Sequence, residues 1–167
     1  MDQDDLPRRL RAWARTQHAA LPGPATAEQV AAAEGRIGFP LPPLLRRLYR
    51  EVANGGFGPD TWELVPLAEL RPTWPGRMVT VMDVGCAMAS VVDCSDAAGQ
   101  VLLMDPNAYA MDDPRAWSLD APTLAQWLEA WIDGTSWLCE QDDVDIDDIP
   151  WPVPWPDAAA RLAAGPR

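Results

Sequence analysis

The sequence predicts an α+β domain, with N-terminal helices, an antiparallel sheet, a C-terminal helix and an acidic Trp/Pro-rich tail. Three patterns in the residues point to the mixed class. Apolar residues recur at three- and four-residue spacing up to Val52. Three short β-rich runs joined by tight links occupy residues 78–104. A second helical stripe follows Pro122. Helices, then consecutive strands, then a helix is the order of an α+β fold.

The first helix is carried by Leu6, Leu10 and Trp13, with Arg8, Arg9, Arg11 and Arg15 largely off that stripe. Leu21-Pro22-Gly23-Pro24 breaks it. Thr26 and Gln29 have the spacing of a capping box, opening a second helix with Val30, Ala33 and Ile37 on its apolar side. Gly38 suits its left-handed stop. Phe39-Pro40-Leu41-Pro42-Pro43 is an extended entry to a third helix, lined by Leu44, Leu45, Leu48 and Val52 and ended by Asn54-Gly55-Gly56.

Trp62–Val65 reads as a short strand and Pro66–Leu70 as a turn or brief helix. Met78–Asp83, Ala87–Val92 and Val101–Met104 read as strands, the last two linked by a turn over residues 93–99. Residues 108–121 read as a loop. Leu124, Trp127, Leu128 and Trp131 then form a helix stripe closed by Gly134. The division expected is a domain over 1–139 and an extension over 140–167. The tail's proline density favours polyproline II, followed by a short helix over residues 157–164.

The chain has 167 residues and a formal charge of −12, and all 13 of its basic residues are arginine. Such an acidic chain repels phosphate backbones and anionic membranes, which disfavours direct nucleic-acid or membrane binding. No apolar run approaches the ~18 residues of a membrane span. The charge is polarised: residues 1–77 carry 10 arginines against 9 carboxylates, and residues 78–167 carry 3 against 16. A partner attracted by charge should therefore be basic and should meet the second half. Cys86, Cys94 and Cys139 form an odd set without CxxC spacing, and the acidic start lacks an apolar leader; both predict a cytoplasmic protein with free thiols.

His18 is the only histidine, leaving most hydrolase chemistries without a base. It reads as an exposed helix-surface residue, and neither a zinc site nor another cofactor is expected. Asp83, Asp93 and Asp105 each follow a strand; acid–base work would require them to converge, and the ordinary role of such aspartates is bonding their own turns. Asn54-Gly55-Gly56 could cradle an anion with its N–H groups, but reads first as a helix stop. Cys86 and Cys94 read as packed small hydrophobes.

Glu34 to Gly38, Leu41-Pro42, Leu44 to Val52 and Asn54-Gly55-Gly56-Phe57-Gly58 together resemble the opening of the SMI1/KNR4 family, also called the SUKH superfamily. Val84-Gly85-Cys86, Val92-Asp93-Cys94, Gly99 with Val101, Asp105-Pro106-Asn107 and Trp127-Leu128 are similar to later blocks of actinobacterial-type members, so the resemblance covers about residues 26–138. It implies an α+β fold around a curved antiparallel sheet and a non-enzymatic role. Bacterial members of that family are regarded as immunity proteins that neutralise nuclease or deaminase toxins, and fungal members as regulators. The expectation is thus a stoichiometric binder of a cognate toxin domain, with an endogenous regulatory scaffold as the alternative and a hydrolase using the strand-end aspartates as the remote one.

The tail lies outside the shared pattern. Glu140, Asp142, Asp143, Asp145, Asp147 and Asp148 place six carboxylates in nine residues, followed by Trp151 and Trp155 among prolines. The acids read either as a solvated linker or as contacts to the basic groove of a nucleic-acid-cutting toxin, a complementarity that speeds association. The two tryptophans read either as docked onto the domain or as anchors in a partner.

Overall fold

The computed structural model describes residues 5–139 and 145–165. Helix α1 (Leu6–Gln17) buries Leu6, Leu10 and Ala14 and leaves Arg8 and Arg15 in solvent. Helix α2 (Ala27–Ile37) starts on the expected capping box: Thr26 Oγ1 accepts the Gln29 N–H at 3.2 Å, and Gln29 Oε1 accepts the Thr26 N–H at 2.8 Å. Gly38 ends it with φ +90°. From α2, Glu34 Oε1 accepts the Leu41 N–H at 2.8 Å and Arg46 Nε at 2.6 Å, gripping the Leu-Pro entry to the next helix.

That helix, α3 (Pro43–Arg47), widens into a π-helical turn over Leu48–Val52, where the Ala53 N–H reaches back to Leu48 O. The turn buries Tyr49, whose hydroxyl donates to Val65 O at 2.8 Å and whose carbonyl accepts the Ala25 N–H at 2.7 Å. Helix and loop are thereby sewn together.

Gly55 lies at φ +76°, and a Cβ there would stand 2.6 Å from Pro66 N and 2.7 Å from Val65 C. Backbone occupies the space, so no side chain can swing aside. Gly55→Ala should cost about 2 kcal/mol or more through the left-handed backbone and the forced shift. A urea midpoint equal to wild type would contradict that packing.

The sheet is a six-stranded antiparallel meander in sequence order: β1 (Arg71–Thr73), β2 (Met78–Asp83), β3 (Ala89–Asp93), β4 (Val101–Met104), β5 (Trp117–Ala121) and β6 (Val153–Pro154). It corrects several sequence readings. Residues 117–121, expected in a loop, are a strand between β4 and β6. The strand expected from Ala87 starts at Ala89, because Cys86 and Ala87 have positive φ in the preceding turn. Trp62–Val65 contributes only a single bridge, Leu64 to Met82. Strand β1 had no sequence counterpart.

Both faces are covered. On the first, Val79, Val81, Val92 and Val101 join the core formed with α1, α2, α3 and α4 (Leu124–Ile132). Trp13, Trp131 and Trp127 run in series there, with centroids 6.2 Å and 4.4 Å apart. On the second, Met78, Val91, Leu102, Met104 and Trp117 form a smaller core with Trp155 and Ala158, where α5 (Ala158–Ala163) begins. The residues expected as an extension thus supply an edge strand and the cover of one face. Pro154 is tolerated in β6 because that strand is at the edge. Arg161 of α5 fixes the cover, pairing with the buried Asp93 at 2.8 Å. No described helix is long and apolar enough to cross a membrane.

Candidate partner-binding surface

Of the acidic run, Glu140, Asp142 and Asp143 lie outside the described residues. Asp145, Asp147 and Asp148 form an exposed 3₁₀ turn, with Asp145 Oδ1 accepting the Asp147 N–H at 3.2 Å. The same stretch presents apolar side chains to solvent: Ile146 is 67% exposed, Trp151 50% and Val153 55%. Trp151 is held from behind, its ring 5.8 Å from that of Trp137 and its Nε1 donating to Ile146 O at 3.2 Å. A half-exposed, fixed indole beside an acidic turn has the composition of an interface anchor.

Trp155 does not belong to that surface. It is 4% exposed, tilted against Trp117 at 6.4 Å, and its Nε1 donates to Gln100 Oε1 at 2.8 Å. Its ring is spent on the sheet, so within this fold it is a domain contact and leaves no face for a partner.

Behind Trp151 lies a cavity of about 310 Å³ lined by Asp120, Gln126, Trp127, Trp137 and Pro150 among others. Asp120 Oδ2 accepts the Trp127 Nε1–H at 2.9 Å. Burial pushes this carboxyl up to about 6, against the opposing pull of the Trp137 and Trp127 indoles. Trp137 Nε1 is near enough to favour the charged form but completes no hydrogen bond. Sequence reasoning missed Asp120 because its strand was read as loop. The signal was the apolar alternation of Trp117 and Leu119, which share the second face and set Asp120 on the other; a bulge then turns Ala121 to the first face.

The raised Asp120 value has a signed consequence. Between roughly pH 4 and 6 the folded chain holds a proton that the unfolded chain has released. Stability from this group is therefore greatest below the unfolded value near 3.8 and declines as pH rises to about 6. The loss should be about 3 kcal/mol. Asp120→Asn should remove it, making the variant more stable than wild type at pH 7. Urea unfolding of both proteins from pH 4 to 7 measures the difference, and parallel curves would refute the buried carboxylate.

The other sequence candidates are separated or committed elsewhere. Asp83 and Asp105 lie at one end of the sheet, whereas Asp93 pairs with Met78 at the other, five residues or about 16 Å along β2. Asp83 bonds Arg71 at 3.2 Å, and Asp105 accepts the Asn107 N–H at 2.9 Å. The three do not converge. In the Asn-Gly-Gly turn, Gly55 N–H donates to Ala53 O, Gly56 N–H to Leu64 O, and Asn54 Oδ1 accepts the Leu67 N–H, so its polar groups serve the fold.

His18 differs from expectation. It caps the end of α1 with its side chain 11% exposed and its Nε2 against Gly58 at 3.0 Å. The loop at Gly58 covers what would otherwise be a helix surface. The Cys94 thiol is buried and pushed up to about 12 by desolvation, then by Asp93 and Glu34; Cys86 is exposed. Burial also raises Cys139. Neither Cys94 nor Cys139 has the lowered value of a reactive thiol.

No curated protein matches the chain by sequence. The model of the SMI1 / KNR4 family (SUKH-1) matches residues 24–130, from three residues before α2 through most of α4. That span takes in the Glu34–Leu41–Arg46 grip, the Asn-Gly-Gly turn and strands β1 to β5, and on it the chain belongs to the SMI1/KNR4 (SUKH-1) family.

Proposed function

We propose that this protein is an immunity protein that neutralises a basic toxin domain by stoichiometric binding rather than by catalysis. The supporting observation is the exposed surface of Ile146, Trp151 and Val153 set among Asp145, Asp147 and Asp148. Apolar side chains at a surface cost solubility unless a partner covers them, and carboxylates beside them select a basic one. A toxin that cuts or edits nucleic acid carries a basic groove for phosphate, and carboxylates that occupy it exclude the substrate. An interface of about 1,600 Å² in total would suffice for a stable complex.

The test is affinity capture from the source cells at low and high salt, followed by a toxicity assay of whatever is retained. The proposal expects a basic domain bound one to one, weakened by salt, whose expression arrests growth unless this protein is co-expressed. Retention of a cellular protein without toxicity would overturn it in favour of a regulatory scaffold.

A further inference from the structure

The cavity behind Trp151 contains a carboxylate that no described residue neutralises. Asp120 is in no ion pair among the described residues, and its hydrogen-bond partner is the neutral Trp127 indole. Among the described residues, no arginine lines the cavity. A partly buried charge left without a counter-ion is costly, so its natural complement is a cation that arrives from outside.

Size and walls narrow the cation. A volume of about 310 Å³ is some ten times the share of one water in the liquid, about 30 Å³. It accommodates a side chain, not merely a solvent molecule. Trp127 and Trp137 are among the residues that line it. Aromatic walls beside a carboxylate favour guanidinium over ammonium. Guanidinium is planar, is weakly hydrated, stacks on rings and forks its donors onto a carboxylate, whereas ammonium keeps its water more strongly.

Position narrows the source. Pro150 lines the cavity, and Trp137 carries Trp151 on its ring. The opening is therefore continuous with the acidic and apolar surface on which a basic protein partner is proposed to dock. We propose that this cavity is the socket for an arginine side chain of that partner, with Asp120 receiving the guanidinium between the Trp127 and Trp137 rings. The socket rests on the binding role proposed above and names the group by which a partner is held.

The test uses the intact protein and capped amino acids, so it does not need the partner. N-acetyl-arginine amide, N-acetyl-lysine amide and N-acetyl-citrulline amide are titrated while the tryptophan indole N–H resonances are followed by NMR. The expected result is saturable movement of the Trp127 and Trp137 resonances by the arginine probe, at least threefold weaker binding of lysine, and no saturation by neutral citrulline. Asp120→Asn, with its resonance dispersion intact, should weaken arginine at least tenfold.

Trp137→Leu provides a second variant that keeps an apolar wall; it should erase the preference for arginine over lysine. Equal binding of citrulline, unchanged binding by Asp120→Asn, or no response at these two indoles would overturn the socket. Free arginine binding more tightly than the capped form would overturn it in another way, by making the cavity a small-molecule site. None of these outcomes depends on whether the captured partner is toxic, so socket and toxin reading fail separately.

Discussion

Trp117→Ala is expected to lower the unfolding free energy by about 3–5 kcal/mol, the cost of removing a large aromatic side chain from a packed core. The ring is fully buried in the second-face core, where Trp155 and Ala158 close over it. Its Nε1 donates to Met111 O at 2.9 Å, so truncation also orphans a carbonyl. A domain of this size has about 5–15 kcal/mol in total, so the variant should be near the limit of folding. The loss should have a local signature as well. Trp155 would face a hole, and the segment from β6 through α5 should become open to protease before the rest of the chain. Urea unfolding gives the magnitude, and limited proteolysis gives the order. A cost below about 1 kcal/mol, or cleavage that begins elsewhere, would mean that the C-terminal segment does not close the second face.

Trp117 also marks where the sequence stopped being legible. The helix boundaries were readable because their determinants are local: Thr26 and Gln29 three residues apart, and a single glycine at φ +90°. Strands β2 and β4 were readable because each is a run of β-formers bounded by turn residues. Strand β5 has the apolar alternation of Trp117 and Leu119, but it follows Asp112-Asp113-Pro114, whose turn chemistry dominates the window. Its pairing with β4 and β6 is non-local, and no nearby residue announces it. The tail shows the same limit differently. Polyproline II and an edge strand occupy neighbouring regions of backbone space, so proline density correctly reports an extended chain without saying what it lies against. Val153 and Pro154 lie against β5.

The candidate site divides along the same line. The acidic run and Trp151 were legible as composition, because exposed carboxylates and a tryptophan among prolines are unusual wherever they fall. Trp155, four residues on, has the same local context and the opposite fate. Only Gln100 and Trp117, 55 and 38 positions upstream, decide that its ring is buried. Asp120 was illegible for a related reason. Its character comes from Trp127 on α4 and from Trp137 beyond that helix, brought to it by the fold.

Reversing Asp145, Asp147 and Asp148 together to arginine is expected to slow association with the proposed basic partner by about 100-fold at low salt. Charge-steered association runs at up to about 10⁸–10⁹ per molar per second, against about 10⁵–10⁶ without steering. The effect should shrink to a few-fold near 1 M salt, where the Debye length falls to about 3 Å. Folding should be nearly unaffected, since the three residues stand in an exposed turn where, among the described residues, the one hydrogen bond their side chains make is that of Asp145 to the Asp147 N–H. Trp151→Ala should behave in the opposite manner. It should leave the association rate and its salt dependence almost unchanged but raise dissociation by about 30-fold, as for an anchor worth about 2 kcal/mol. Stopped-flow association and surface-bound dissociation distinguish the two. If the triple reversal changed dissociation alone, or if neither rate depended on salt, the carboxylates would be bystanders on a surface held by its apolar residues. If Trp151→Ala left dissociation unchanged, the partner would dock elsewhere, and the exposure of Ile146, Trp151 and Val153 would need a different explanation.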